Sequence, residues 1–349
     1  MSFISRVRSG NLVGVLDFGA ESAAVIIADK TSQGVIRILG AGESPASGVS
    51  HGMITHMGDA AESIYAAACK AEAAAGAKPQ SLDYNINDMD VVWRSPLGSK
   101  ILDGEGEIQP SDIKAAALAA QRLVGDYEKT LLYAKETDFV VDDRDPVVNP
   151  VGIFGHKISL ALQSVLVSTA YYDSWQKLLR RAGFSRSKPY LSGLSVVEGV
   201  FTAEEKKGSR ILWDLGRDVL TGIVYKAENV RGYRVIASDD SSWDQSSAVV
   251  LAVTQGWIQQ HDSVEEVVLT GDLSADEKVR TLLKEGLSLP VRSAIPQGID
   301  KITNPSHAAL GGLLRLALDS QKKSLIAHSE KGVFASAKEK ATSFLNEYF

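Results

Sequence analysis

Residues 211–222 read ILWDLGRDVLTG. Ile211, Leu212 and Trp213 run into Asp214. Gly216, Arg217 and Asp218 follow, and apolar sequence resumes at Val219. An apolar run that stops at Asp-x-Gly reads as a buried strand entering a tight turn, its backbone N–H groups turned toward an approaching anion. Loops that cradle phosphate use further glycines, because a Cβ holds the backbone away from the ligand. Here Arg217 and Val219 stand in those places, so the stretch is half of a phosphate clamp.

The same plan occurs near the start. GVLDFG (14–19), AAVIIADKT (23–31) and GVIRILGAG (34–42) match ILWDLG (211–216), TGIVYKAENV (221–230) and GYRVIAS (232–238). Each set is strand, Asp-x-Gly, strand, turn, strand. This duplication predicts two α/β platforms, each with an antiparallel meander, facing each other across a cleft. The residues pointing to a magnesium–phosphate unit are Asp17, Gly19, Glu21 and Ser22 from the first turn and Asp214, Gly216, Arg217 and Asp218 from the second. Asp17 and Asp214 are the metal-side carboxylates. A third turn, Gly271-Asp272, follows the strand read at VEEVVL (264–269). Arg217 can itself pair with a phosphate, whereas Glu21 repels one unless it helps hold a metal. The plain alternative for each aspartate is a strand-ending turn. Glu198 is a weak candidate for activating water, its alternative being an exposed helix charge.

The bulk numbers narrow the function classes. A chain of 349 residues makes one large domain or two to three smaller ones. Lys+Arg total 37 against Asp+Glu 43, a net charge of −6 that argues against nucleic acid as a partner. The one cysteine, Cys69, excludes an internal disulfide and a cysteine-based zinc set, and a reducing cytoplasm fits. MSFISRVRSGN at the start lacks the apolar core of a secretory signal. No stretch reaches the roughly 18 apolar residues that span a bilayer. The best, ISLALQSVLVSTAYY (158–172), is broken by Ser159, Gln163 and Ser164. Any membrane contact is therefore expected to be peripheral.

Helices are expected from an Asp59 cap to Gly76, from a Ser111 cap to Gly125, and over 170–184, 191–206, 246–261, 275–287 and 304–318. The last stretch, EKGVFASAKEKATSFLNEYF (330–349), places Phe334, Ala337, Ala341, Phe344, Leu345 and Tyr348 on one helical face. It follows a polar linker, which suits a membrane-interface helix, with Phe334, Phe344, Leu345, Tyr348 and Phe349 as the inserting residues. The alternative is a helix packed on the core.

Several ordered segments are similar to the FtsA family of the actin/Hsp70/sugar-kinase superfamily. ESPASGVSHGMITHMGDAAESI (43–64) carries its Gly-Val-x-x-Gly-x-Ile pattern at Gly48, Val49, Gly52 and Ile54. DPVVNPVGIFGHKISLALQSVLVS (145–168) resembles the Asn-Pro-x-Gly-x-x-Gly segment of the family's extra subdomain. WQKLLRRAGF (175–184), VFTAEEKKGSRILWDLG (200–216) and NPSHAALGGLL (304–314) resemble the segments that follow in order. The departures lie in the loops. The family typically has Asp-x-Gly-Gly-Gly-Thr in the second loop, Asp-x-Gly-Thr-Ser in the first and two glycines in the adenosine turn. It also inserts a lobe between the counterparts of RVIASDD (234–240) and VEEVVLTGD (264–272), which this sequence reduces or lacks.

The resemblance implies an actin-like (ribonuclease H-like) fold with an FtsA-type inserted subdomain. The first platform is expected at 1–86 plus 173–209, the insert at 87–172, the second platform at 210–318, a linker at 319–330 and the amphipathic helix at 331–349. It implies ATP and magnesium as ligands of a degenerate cleft, with weak or no ATPase activity. It also implies an FtsZ-type division polymer and further copies of the chain as partners, at the cytoplasmic face of the cell membrane. A pilus-assembly adaptor of the PilM type and a small-molecule kinase of the same superfamily are the alternatives.

Overall fold

A computed structural model describes residues 12–31, 34–125, 127–238, 243–299 and 302–320. The chain opens with β1 (Val13–Phe18), β2 (Ser22–Lys30) and β3 (Ile36–Pro45), an antiparallel meander in register from Val13↔Ala28 to Phe18↔Ala23. A two-residue pair, β4 (Val49–Ser50) and β5 (Met53–Ile54), leads into α1 (Met57–Ala75). α1 begins after His56 rather than at Asp59, which sits in its first turn, and Gly76 ends it in the left-handed region. Its alanines are explained by what they face. A Cβ on Gly40 or Gly42 of β3 would lie 2.3 and 2.2 Å from the carbonyls of Ala71 and Ala67, so helix and strand approach at backbone distance. β6 (Leu82–Ile86) then runs parallel to β1.

The second meander is β12 (Ser209–Leu215), β13 (Val219–Lys226) and β14 (Asn229–Ala237), followed by β15 (Glu266–Thr270) and β16 (Val291–Ser293). With β11 (Pro189–Leu191) on the first sheet, the orders are β3-β2-β1-β6-β11 and β14-β13-β12-β15-β16. The two sheets have one topology: a meander whose first strand takes a parallel partner on its free side. Only residues 238–242 separate β14 from α5 (Trp243–Gln260), so no lobe is inserted there.

Two helices lie between the sheets. α4 (Ser192–Val200) packs Val196, Val197 and Val200 on Leu212, Ile223 and Val268 of the second sheet. The final helix, α7 (308–320), packs Leu310, Leu313 and Leu314 on Val13, Val15 and Ile26 of the first. The outer faces are covered by α1 and α3 (Thr169–Arg181) on the first sheet, and by α5 and α6 (Glu277–Gly286) on the second. α4 stops at Val200, short of the expected end. Thr202 and Glu205 form a reciprocal capping box that starts a separate turn at Glu205–Lys207.

The remaining strands form a sheet of their own. β10 (Phe154–Ser168) is its centre, with β9 (Lys129–Val141) along one edge and β8 (Leu97–Glu107) then β7 (Val92–Arg94) along the other. α2 (Pro110–Gln121) covers one face. Its cap is Gln109, not Ser111, because Pro110 takes the first helical position and Asp112 reaches back to the Gln109 N–H. This unit leans on the second sheet's hairpin. Gln163 donates to the Val230 carbonyl (3.1 Å), Arg231 grips Asp138 through two contacts of 2.9 Å, and Trp93 stacks on Tyr233.

Candidate functional site

The turns after β1, β12 and β15 converge where the two sheets meet. Gly19 closes the first turn by donating to the Ser22 carbonyl at 2.9 Å. Gly216 serves the second, where a Cβ would stand 2.7 Å from the Val219 carbonyl. Gly271, at φ +88°, lies against the second turn, and a Cβ there would meet Asp214 Oδ1 at 2.6 Å. The structure thus brings Asp17, Asp214 and Asp272 to one place.

Their electrostatics follow from that crowding. Asp214 is pushed up to about 7, first by burial and then by Asp17 and Asp272. Burial also raises Asp17, offset by the Asn85 amide and the His307 imidazole. Burial raises Asp272 too, with Arg217 pulling the other way. Asp17 and Asp214 are recessed, but each keeps part of its surface open to the cleft.

The remaining candidates tie the halves together. Arg217 Nε lies 3.0 Å from Glu21 Oε1, an ion pair joining the first turn to the second. The His51 N–H donates to Asp218 Oδ2 at 3.0 Å, and its Nδ1 meets the Asp218 carbonyl at 2.9 Å. Ser22 begins β2 and contributes the carbonyl of the first turn. Glu198 is not in the cleft. It pairs with Lys206 at 2.6 Å and lines a separate cavity. Phe334, Phe344, Leu345, Tyr348 and Phe349 lie outside the described residues.

Sequence reading missed His51, Asn85, Asn87 and His307. Asn85 donates to Asp17 Oδ1 at 3.2 Å and accepts from Ser195 at 2.7 Å. Thr221 donates to Asn87 across the cleft at 3.4 Å. For Asn85 the available signal was a buried-register asparagine in the short strand LDYNI, between Tyr84 and Ile86.

The arrangement suits a magnesium–triphosphate less well than glycine-rich turns would. A phosphate chain needs bare backbone N–H groups, but the turns carry Arg217 and Val219 and are joined by Glu21–Arg217. Five carboxylates, those of Asp17, Glu21, Asp214, Asp218 and Asp272, gather around the turns. Among the described residues, no three His, Cys, Asp or Glu are grouped to hold a metal ion. No helix among them is long and apolar enough to cross a membrane.

Paired sheets of one topology, strand-ending aspartates opposed over a groove and an inserted α/β unit define an actin-like protein. Comparison with known proteins sharpens this. A family described as "SHS2 domain inserted in FTSA" matches residues 97–166, the β8-to-β10 unit. The chain is 23% identical to cell division protein FtsA of Pseudomonas aeruginosa over 233 residues, 67% of this chain and 56% of that protein. It is 24% identical to FtsA of Bacillus subtilis over 231 residues, 66% of this chain and 52% of that protein. The match thus spans a little over half the length of these relatives. Among solved structures, a chain of the PilM–PilN type IV pilus biogenesis complex superposes with a TM-score of 0.60 at 16% identity, covering 87% of this chain and 98% of that one. Ethanolamine utilization protein EutJ from Carboxydothermus hydrogenoformans gives 0.50 at 10% identity, covering 86% and 88%. The chain is thus similar to FtsA in sequence, across the inserted unit and the parts of the body that align, and actin-like in fold.

Proposed function

We propose that this chain is an actin-related division adaptor of the FtsA kind. It polymerises and holds an FtsZ-type polymer to the inner face of the cell membrane through residues 331–349. The observation that carries the reading is the SHS2-type insert at 97–166, mounted on an actin-like body. Burying about four large apolar side chains at ~1–2 kcal/mol each gives weak, reversible membrane binding. Several copies acting together make such binding durable, which is what polymerisation supplies. The cleft acts as a joint between platforms and does not turn over ATP at a useful rate, which accounts for the loss of its loop glycines.

Co-sedimentation with anionic vesicles tests this, using the intact chain and one ending at Ser320, each with and without FtsZ polymer. The intact chain should carry FtsZ into the vesicle pellet and the shorter chain should leave it in solution. Equal pelleting of both removes the tether role. A pilus-assembly adaptor is the second reading, supported by a likeness that takes in 98% of the matched chain from the PilM–PilN complex. Vesicle binding without any FtsZ recruitment moves the assignment there.

A further inference from the structure

A cavity of about 500 Å³ lies apart from the cleft, between the insert and the two platforms. Its walls include Leu131 and Tyr133 of β9, Tyr190 of β11, Leu194 of α4 and Leu316 of α7. Two of these elements are sheet edges. Among the described residues, β11 pairs only with β6, and β9 over Lys129–Lys135 pairs only with β10. Each therefore offers backbone donors and acceptors beside a hollow that is apolar in its greater part, with Lys135, Lys188, Glu198 and Glu228 also on its walls, which suits an added segment that carries both apolar and charged side chains.

The described chain ends at this cavity. Leu316 lines it, and the hydroxyl of Tyr190, another lining residue, donates to Ser320 Oγ at 3.2 Å. The last described residue therefore stands at its mouth. Phe334 lies 14 residues beyond Ser320. A strand of that length reaches up to about 46 Å, and a flexible one averages about 20 Å. The apolar side chains of 334–349 are thus held near the cavity at an effective concentration on the order of millimolar.

We infer that residues 334–349 dock into this cavity when no membrane is present, so that the apolar side chains proposed to enter the bilayer are first sheltered by the chain's own body. The membrane half of this inference rests on the function proposed above, but the docking half does not. Docking and insertion use the same side chains and exclude each other. A chain nine-tenths docked binds vesicles about tenfold more weakly than an undocked one.

Amide hydrogen exchange on the full chain and on a chain ending at Ser320 tests the docking, with Leu131→Glu placing a charge in the cavity from a partly exposed position. At low protein concentration without lipid, amides of 129–135 and 188–191 should exchange at least fivefold more slowly in the full chain. Vesicles of phosphatidylglycerol and phosphatidylethanolamine should abolish the difference. Leu131→Glu should abolish it too, while tightening vesicle binding about five- to tenfold. Equal exchange in the two chains overturns the inference. Protection that grows with protein concentration also overturns it, because the occupant is then another copy's tail. Protection in a chain that binds no vesicles upholds the docking and removes the tether function, so the two failures can be told apart.

Discussion

Asp17 and Asp214 end matching strands and face each other in a recess, and burial holds both above the ordinary carboxylate range, Asp214 up to about 7. In the unfolded chain an aspartate titrates near ~3.9. Between roughly pH 4 and 7 the folded protein therefore keeps a proton that the unfolded chain has released, and stability falls as pH rises through that window. Asp214→Asn removes the charge. It should raise stability at pH 8 by about 1–2 kcal/mol after allowance for the carboxylate's open surface, with little effect at pH 4. Thermal melts at the two pH values check this, and an equal gain at both would show that the group's titration is not responsible. The two aspartates were legible in the sequence because duplication marks them. His51, Asn85 and His307 were not, because they come from a short turn, a strand interior and a 3-10 turn with no shared pattern.

At the scale of elements, the joint between the halves is a helix pair with no room to spare. A Cβ on Gly312 of α7 would fall 1.6 Å from the Ser195 carbonyl of α4, and one on Gly199 of α4 would fall 2.3 Å from the Ala308 carbonyl. The two backbones touch, and their opposite faces pack on different sheets. Gly312→Ala should therefore cost about 2–3 kcal/mol through overpacking. Gly256→Ala in α5, where a Cβ meets nothing within 4 Å, should be neutral or stabilise by about 0.5–1 kcal/mol. Urea unfolding of the two variants decides, and similar midpoints would contradict the close packing. Apolar periodicity located these helices. It misplaced the start of α2 and the end of α4, where a proline and a capping box act over a few residues.

For the whole molecule, closure of the cleft is a property of both halves. Glu21–Arg217 and His51–Asp218 each join one platform to the other, so the first contact ties the two phosphate-side turns together. Restoring small residues with Glu21→Ser and Arg217→Gly removes that lock and bares backbone N–H groups. The double variant should bind Mg–ATP at least tenfold more tightly than the parent in isothermal titration. Tight binding and rapid turnover by the parent would show that the cleft is not closed. The sequence by itself determined the duplicated strand–Asp-x-Gly–strand plan, the matching meanders and the turn residues, because strand alternation and turn chemistry are local. Only the tertiary structure decided which faces meet. It set α7 on the first sheet and α4 on the second, turned Arg217 toward Glu21 and Asp218 toward His51, and left a hollow where the described chain ends. The seat of α7, Glu21–Arg217 and His51–Asp218 depend on residues more than a hundred positions apart, which no local pattern encodes.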